Sequence, residues 1–202
     1  MFNKKGAIKM KNIILTSCGI IDGKFKEQFY RIINKEKIKD KKVLYITTAS
    51  DGENDSDKSW MDEEYETILD LGFSKENIYE FKIGQKEINI NDFDVIYMMG
   101  GNTFYLMDMI RKYNFDTVIK KAMDNGIIYI GSSAGSIILG NSVEYALPFD
   151  ENNVDLKDFS GLRIIDGIII PHANRKEEFI SKVKENIGEK LFLLYDENGI
   201  II

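Results

Sequence analysis

Short apolar runs that alternate with longer amphipathic segments are the feature that most limits how this chain can fold. The runs are rich in isoleucine, leucine and valine along their whole length rather than at every second position. Strands of this kind are buried on both faces, as in parallel sheets that helices cover on both sides. The pattern therefore predicts an α/β fold, a three-layer sandwich around a mostly parallel central sheet. The predicted strands are 12–16, 43–48, 77–81, 95–99, 127–130, 164–170, 191–194 and 200–202, and the predicted helices are 26–34, 59–71, 103–113, 115–124 and 176–186.

Two connecting segments bear on topology and function. Residues 141–161 are the least regular stretch and are rich in acids and asparagine. They precede a predicted strand, where an active-site loop would be expected. The pair Asn198-Gly199 separates the last two predicted strands and is typical of a hairpin turn, so these strands are expected to pair.

Length, charge and cysteine content exclude several classes of protein. The 202 residues suit a single domain, 1–202, and the formal net charge of -6 argues against a nucleic-acid partner. A single cysteine, Cys18, leaves no internal disulfide and fits a reducing compartment. No apolar run is long enough to span a membrane, and residues 1–10 contain lysines but no hydrophobic signal core. We therefore expect a cytoplasmic enzyme or binding protein.

A G-x-S-x-G pattern follows one of the apolar strands. Gly131, Ser133 and Gly135 come directly after the run 127–130. A sharp turn from strand to helix lifts the central serine clear of the backbone and needs glycine on both sides. The pattern predicts a nucleophile elbow at Ser133. A glycine-rich turn without chemistry is the alternative.

A serine nucleophile needs a base and an acid that orients it. The one histidine, His172, follows an apolar strand through Pro171, so it is expected at the carboxyl edge of the sheet, where ligands bind. Composition does not choose the acid. The candidates between the serine and the histidine are Glu144, Asp150, Glu151, Asp155, Asp158 and Asp166.

The segment Gly100-Gly101-Asn102 follows another apolar strand and suits an oxyanion hole. Such a site needs two backbone N–H groups, one of them from the residue after the nucleophile, here Ala134. The glycines provide a flexible backbone for the second. They also fit a plain strand-to-helix turn in which Asn102 or Thr103 caps the helix, and both interpretations can hold together.

Three segments together resemble peptidase family S51, which includes dipeptidase E and cyanophycinase. The segment Gly100–Leu106 is similar to the family's G-G-N-T motif, and Gly131–Ser136 resembles its G-x-S-A-G elbow. Pro171-His172 resembles the pair that carries the family histidine. The order and spacing of the three segments match over most of the chain, although Met99 stands where many members have another glycine.

The resemblance implies a class I glutamine amidotransferase-like (flavodoxin-like) fold and a serine peptidase acting on a small peptide or amide. Ser133 would be the nucleophile and His172 the base. Counting back from the histidine implies Asp150 as the acid, with Glu151 and Glu144 as neighbouring candidates. The oxyanion donors would be Gly101 and Ala134, and Asn102 would contact the substrate. No metal or organic cofactor is expected, and a homodimer is compatible with the family.

Three other functions compete with this interpretation. A glutamine amidotransferase or related cysteine enzyme needs cysteine at the elbow, which Ser133 occupies, and Cys18 is expected to lie far away. An esterase of the α/β-hydrolase type would suit the order of the catalytic residues, but the chain is short for that fold. A catalytically silent binding or regulatory protein on the same scaffold is the third possibility.

Overall fold

The computed structural model describes residues 12–21, 23–54 and 57–202. The segment 1–10, on which the expectation of no signal sequence depends, lies outside these residues. The strands are β1 (Ile13–Thr16), β2 (Val43–Ile46), β3 (Ile78–Phe81), β4 (Val95–Met98), β5 (Ile128–Ser132), β6 (Ile168–Ile170), β7 (Leu191–Leu193) and β8 (Gly199–Ile201). The α-helices are α1 (Gly23–Ile32), α2 (Ser59–Asp70), α3 (Thr103–Lys112), α4 (Phe115–Asp124), α5 (Ala134–Ile137) and α6 (Glu177–Asn186).

Six strands form the central sheet in the order β3-β2-β4-β5-β1-β8. The first five are mutually parallel, and β8 runs antiparallel to β1 at one edge. Met98 pairs with Gly131, and Thr16 pairs with Ser132, so three neighbouring strands end at the same edge. This confirms the predicted mostly parallel sheet and brings the loops after β1, β4 and β5 together.

Side chains that alternate along each strand build a separate core on each face of the sheet. On one face, residues such as Leu15, Ile96 and Tyr129 pack in a cluster with buried residues of α3, α4 and α5. On the other face, residues such as Ile14 and Tyr97 pack with buried residues of α1 and α2. Burial on both faces explains why the strands are apolar throughout and confirms the three layers.

The last two strands do not form the expected hairpin. β7 pairs in parallel with β6 in a separate two-stranded sheet, whereas β8 joins the central sheet beside β1. A turn is present, because the Asn198 amide donates to the Tyr195 carbonyl at 3.1 Å. The chain passes from one sheet to the other at this point, so the turn connects two sheets rather than two paired strands.

The predicted strand 164–170 is shorter than expected. The amides of Ile164 and Ile165 both donate to the Leu139 carbonyl, just beyond α5, so they cannot pair with a neighbouring strand. Strand β6 therefore begins at Ile168, after Gly167. Among the described residues, no helix is long and apolar enough to cross a membrane.

Candidate active site

The turn between β5 and α5 is a strained elbow with Ser133 at its apex. Ser133 has φ 44° and ψ −110°, a backbone conformation that L-residues rarely adopt. A Cβ on Gly135 would lie 2.1 Å from the Met98 carbonyl oxygen, and one on Gly131 would lie 2.6 Å from the Gly135 oxygen. Both flanking positions therefore require glycine for steric reasons. The Ser133 amide donates to the Thr16 carbonyl at 3.0 Å, which fastens the elbow to β1.

His172 lies beside Ser133 at the end of β6. Its Nε2 is 3.1 Å from Ser133 Oγ, and its backbone amide donates to Ser17 Oγ at 3.0 Å. Burial lowers the pKa of His172, an effect that the neighbouring Asp196 opposes. The imidazole is therefore neutral at pH 7, the form that can accept a proton from Ser133.

The carboxylate of Asp196 holds the other side of the imidazole. Its Oδ1 lies 2.6 Å from His172 Nδ1, while Oδ2 accepts from Asn174 at 2.9 Å and from Arg175 at 2.7 Å. Partial burial acts to raise the pKa of Asp196, but hydrogen bonds from Asn174 and His172 and the charges of His172 and Arg175 lower it to about 2. An ionised Asp196 makes Nδ1 the donor, so Nε2 is free to accept the Ser133 proton.

The segment after β4 runs alongside the elbow. A Cβ on Gly100 would lie 3.2 Å from Ser133 Cβ, and one on Gly101 would lie 2.6 Å from the Ala49 carbonyl oxygen. Gly101 also has φ +126°, which favours glycine. Ala134 is the first residue of α5, so its amide has no acceptor within the helix. Gly101 lines the same cavity as Ser133, and Ala134 follows Ser133 directly, so the oxyanion role of their amides stays a prediction.

A cavity of about 630 Å³ opens over Ser133 and His172. This volume lies in the range of small-molecule sites and would hold a short peptide. Its apolar lining includes Trp60, Ile137 and Phe149. The acidic lining residues precede His172 in the sequence, and the basic ones follow it. They are Glu53, Glu63, Glu64 and Asp150, and Arg175 and Lys176.

Residues 13–202 match the family model described as "Peptidase family S51". The chain belongs to peptidase family S51. The match covers the elbow, the segment after β4 and the histidine, and confirms the resemblance found in the sequence. The activity of the family is peptide hydrolysis, so this S51 member is assigned to the peptidases.

Several relatives of this S51 protein are themselves described as peptidases. An uncharacterized peptidase of Listeria monocytogenes is 29% identical over 82% of this chain and 79% of its own length. Peptidase E of Shewanella sp. strain ANA-3 is 36% identical, over 41% of this chain and 34% of its own. A crystal structure from L. monocytogenes EGD-e, described as a candidate peptidase E, superposes with a TM-score of 0.79 at 25% identity, covering 96% and 94% of the two chains. It confirms the class I glutamine amidotransferase-like fold.

Asp150 does not occupy the place beside the histidine that the family resemblance implied for it. Its Oδ2 accepts from the Thr103 amide at 2.9 Å, at the start of α3. The neighbouring Glu151 accepts from Asn54 through Oε2, and Glu144 lies in a short 3₁₀ turn. The structure therefore assigns Asp150 to fastening the loop 141–161 over the cavity, and it gives the contact with His172 to Asp196 instead.

Asp196 is not among the predicted acids, because it follows His172 in the chain whereas the candidates lie between Ser133 and His172. Asp196 lies in Asp-Glu-Asn-Gly, a composition typical of a turn, and was interpreted as part of a hairpin. Ile170 of β6 pairs in parallel with Leu193 of β7, so the carboxyl ends of these strands are adjacent. His172 and Asp196 follow these two strands. The parallel pairing of β6 and β7 is therefore the signal that places the two residues side by side.

Asn102 has a structural role in this S51 fold rather than a place against substrate. Its side chain is 2% exposed, accepts from the Tyr105 amide at 2.9 Å and donates to the Glu151 carbonyl at 2.8 Å. The residue thus caps α3, as the alternative interpretation proposed, and holds the loop 141–161. The expected substrate contact is not compatible with this burial.

Cys18 lies close to the histidine, contrary to the sequence-based expectation. Its Sγ is 3.8 Å from His172 Nδ1 and donates to Asp196 Oδ1 at 3.5 Å. Burial, together with the charge of Asp196, raises the pKa of Cys18 to about 12, so the sulfur stays a thiol. Among the described residues, Cys18, His172 and Asp196 are close enough to share a metal ion. The three groups also hydrogen-bond to one another, since His172 Nδ1 and Cys18 Sγ both lie within hydrogen-bond distance of Asp196 Oδ1.

Proposed function

We propose that this S51 peptidase is a serine-type, dipeptidase-like hydrolase of short peptides, with Ser133, His172 and Asp196 as its catalytic triad. The observation that carries the proposal is the continuous hydrogen-bonded chain from Ser133 Oγ through both ring nitrogens of His172 to Asp196 Oδ1. The order nucleophile, base, carboxylate is the one needed for acyl transfer. The cavity volume and the relatives named peptidase E favour a small peptide as substrate.

In the first half of the reaction, Ser133 Oγ attacks the scissile carbonyl carbon and its proton passes to His172 Nε2. Asp196 stabilises the imidazolium that forms, because it is already ionised and hydrogen-bonded to Nδ1. The amides of Gly101 and Ala134 are the proposed donors to the oxyanion. Collapse of the tetrahedral intermediate breaks the C–N bond, and the leaving amine takes the proton from Nε2.

In the second half, water attacks the ester carbon of the acyl-enzyme and gives a proton to Nε2. The bond between Ser133 Oγ and the acyl carbon breaks, the carboxylic acid leaves, and Ser133 recovers its proton from the imidazolium. Each half returns His172 to the neutral form. One water is consumed for each bond that is cleaved, and the three side chains return to their starting state.

A fluorophosphonate probe tests the proposal directly. We expect a covalent adduct on Ser133, located by peptide mass mapping and absent from Ser133→Ala. The adduct should be lost or formed far more slowly in His172→Ala. Ser181→Ala, a matched change at an exposed serine of α6, should label like the wild type. A folded protein that never labels, or that labels at another serine, would reject the serine mechanism and favour a silent scaffold.

A further inference from the structure

Glu64 is a buried carboxyl group at the edge of the same cavity that the triad does not use. It lies in the middle of α2, is 8% exposed and lines the cavity above Ser133. Its Oε1 makes no hydrogen bond within the described part of the chain. None of the ion pairs among the described residues includes Glu64. A buried acceptor without a partner is uncommon in native proteins and calls for an explanation.

The Glu64 carboxyl is close to the reacting atoms. A Cβ placed on Gly100 would lie 3.6 Å from Glu64 Oε2 and 3.2 Å from Ser133 Cβ, so both side chains border the same small space. Gly100 and Glu64 both line the cavity. The absence of a side chain at Gly100 is what leaves this space open between the carboxyl and the nucleophile.

The surroundings of Glu64 are polar but insufficient for a full negative charge. Burial raises the pKa of Glu64 to about 7, although hydrogen-bonding groups of Ser132, Tyr97 and Gly100 oppose the shift. The Tyr97 hydroxyl is also buried without a hydrogen bond of normal geometry. A cation entering the space beside Gly100 would be attracted by the carboxylate, whose Oε2 faces that space.

From this geometry we propose that Glu64 binds the free α-ammonium group of the substrate residue whose carbonyl Ser133 attacks. The enzyme would thereby be specific for peptides with an unblocked amino terminus. The inference rests on the proposed serine peptidase function. In a peptide the α-nitrogen is two bonds from the carbonyl carbon, about 2.5 Å away, from standard backbone dimensions. A carbonyl seated at Ser133 therefore brings its ammonium group into the space beside Gly100.

The distribution of charge in the cavity agrees with a short peptide that has charges at both ends. The acidic lining residues Glu63 and Glu64 belong to α2, whereas the cations Arg175 and Lys176 belong to the segment after His172. Arg175 pairs with Asp196, and the Lys176 ammonium lies 3.9 Å from the centre of the Phe149 ring. Burial lowers the pKa of Lys176. Of the acidic lining residues, Glu64 is the one whose carboxyl borders the space beside the nucleophile, and it forms no ion pair within the described residues.

A pair of esters that differ only in the amino group tests this inference. The probes are alanine p-nitrophenyl ester and N-acetylalanine p-nitrophenyl ester, compared by kcat/KM. We expect wild-type enzyme to prefer the free amine at least about tenfold, as an ion pair beside the reacting group would provide. Glu64→Gln should remove most of that preference, chiefly by raising KM for the free amine. Glu66→Gln, at an exposed position of the same helix, should keep it.

Two further measurements separate recognition from a structural role. Glu64→Asp keeps the negative charge and should keep part of the preference that Glu64→Gln loses. In Ser133→Ala, which has no nucleophile, alaninamide should raise the melting temperature and N-acetylalaninamide should not. Equal losses for both esters in the Gln and Asp variants would overturn the inference, as would a wild type without preference. An enzyme that labels with fluorophosphonate yet shows no preference rejects only this inference, whereas absence of labelling rejects the proposed function.

Discussion

Ser133 keeps its rare backbone conformation because its surroundings leave no alternative. The residue before it is paired in β5, its own amide is bound to Thr16, and Ser136 and Ile137 donate to its carbonyl at 2.8 Å and 3.0 Å. Such a backbone conformation costs on the order of 1–3 kcal/mol, and it persists only when the surrounding contacts hold the residue in it. Here the strain presents Oγ to His172 Nε2, which is the geometry that the proposed mechanism requires.

Asp196 and Asp150 offer a matched test of which carboxylate acts on the histidine. Asp196→Asn removes the charge that fixes the Nδ1 tautomer, and kcat/KM should fall on the order of 10³- to 10⁴-fold. Asp150→Asn can still accept from the Thr103 amide, so we expect a loss of less than about tenfold, the size of one neutral hydrogen bond. Steady-state hydrolysis of p-nitrophenyl acetate by both variants measures the two effects. The reverse ranking would return the catalytic role to Asp150.

At the scale of elements, the elbow depends on how closely α5 approaches β4. Gly135 lies so near the Met98 carbonyl that the smallest side chain would overlap it. Gly131 and Gly135 also face each other across the turn. Close approach of the helix to the strand is therefore what places Ser133 over the edge of the sheet, and neither glycine can be exchanged without moving one of these elements.

Gly135→Ala tests this close packing. The added methyl group must push α5 away from β4, and we expect the free energy of unfolding to fall by at least about 2 kcal/mol. The elbow should also lose its fluorophosphonate reactivity. Gly188→Ala is the control, because a Cβ there meets nothing within 4 Å, and it should change stability by less than about 0.5 kcal/mol. Urea denaturation gives both values, and an unchanged Gly135→Ala would contradict the packing argument.

The loop 141–161 shows how an irregular segment can still be held in place. Asn102, Thr103 and Arg111 of the α3 region all donate to it, to the Glu151 carbonyl, the Asp150 carboxylate and the carbonyls of Asp158 and Ser160. The sequence predicted correctly that this stretch is irregular and lies at the site. The loop was expected to supply the acid of the triad, with Asp150 as the first candidate, but the Asp150 carboxylate fastens the loop to α3.

At the scale of the whole molecule, His172 is half-buried because the small β6-β7 sheet meets the central sheet at the active-site edge. Leu194, which follows β7, accepts from Ser17 Oγ after β1, so the two sheets are linked there. The resulting burial lowers the pKa of His172 below its usual 6.5. Packing of the two sheets thus determines the pH at which the base becomes available.

The pH dependence of hydrolysis follows from this shift. The base must be neutral to accept the Ser133 proton, so activity is lost as the pH falls through the pKa of His172. Because that pKa is lowered, the acid limb of kcat/KM should have its midpoint below 6.5. An uncharged ester, p-nitrophenyl acetate, is the substrate of choice because it has no ammonium group to interact with Glu64.

Replacement of Asp196 by Asn provides the control for the pH profile. Asp196 raises the pKa of His172 against the effect of burial, so its removal should shift the acid limb to still lower pH. The same variant also lowers the maximal kcat/KM. The midpoint pH of the acid limb can still be measured, because it does not depend on that maximal value. A wild-type midpoint above 6.5, or a shift of the limb to higher pH in Asp196→Asn, would contradict the assignment.

The amino-acid sequence by itself determined the layers, nearly all element positions, the elbow at Ser133 and the place of His172 at the end of a strand. These features depend on local patterns: runs of apolar residues, helical spacing and glycines at a sharp turn. Only the tertiary structure decided that Asp196, Cys18 and Glu64 lie around Ser133 and His172. Their positions depend on β7 leaving the central sheet and on α2 packing against the strand ends. Such contacts join residues distant in the chain, and no local pattern encodes them.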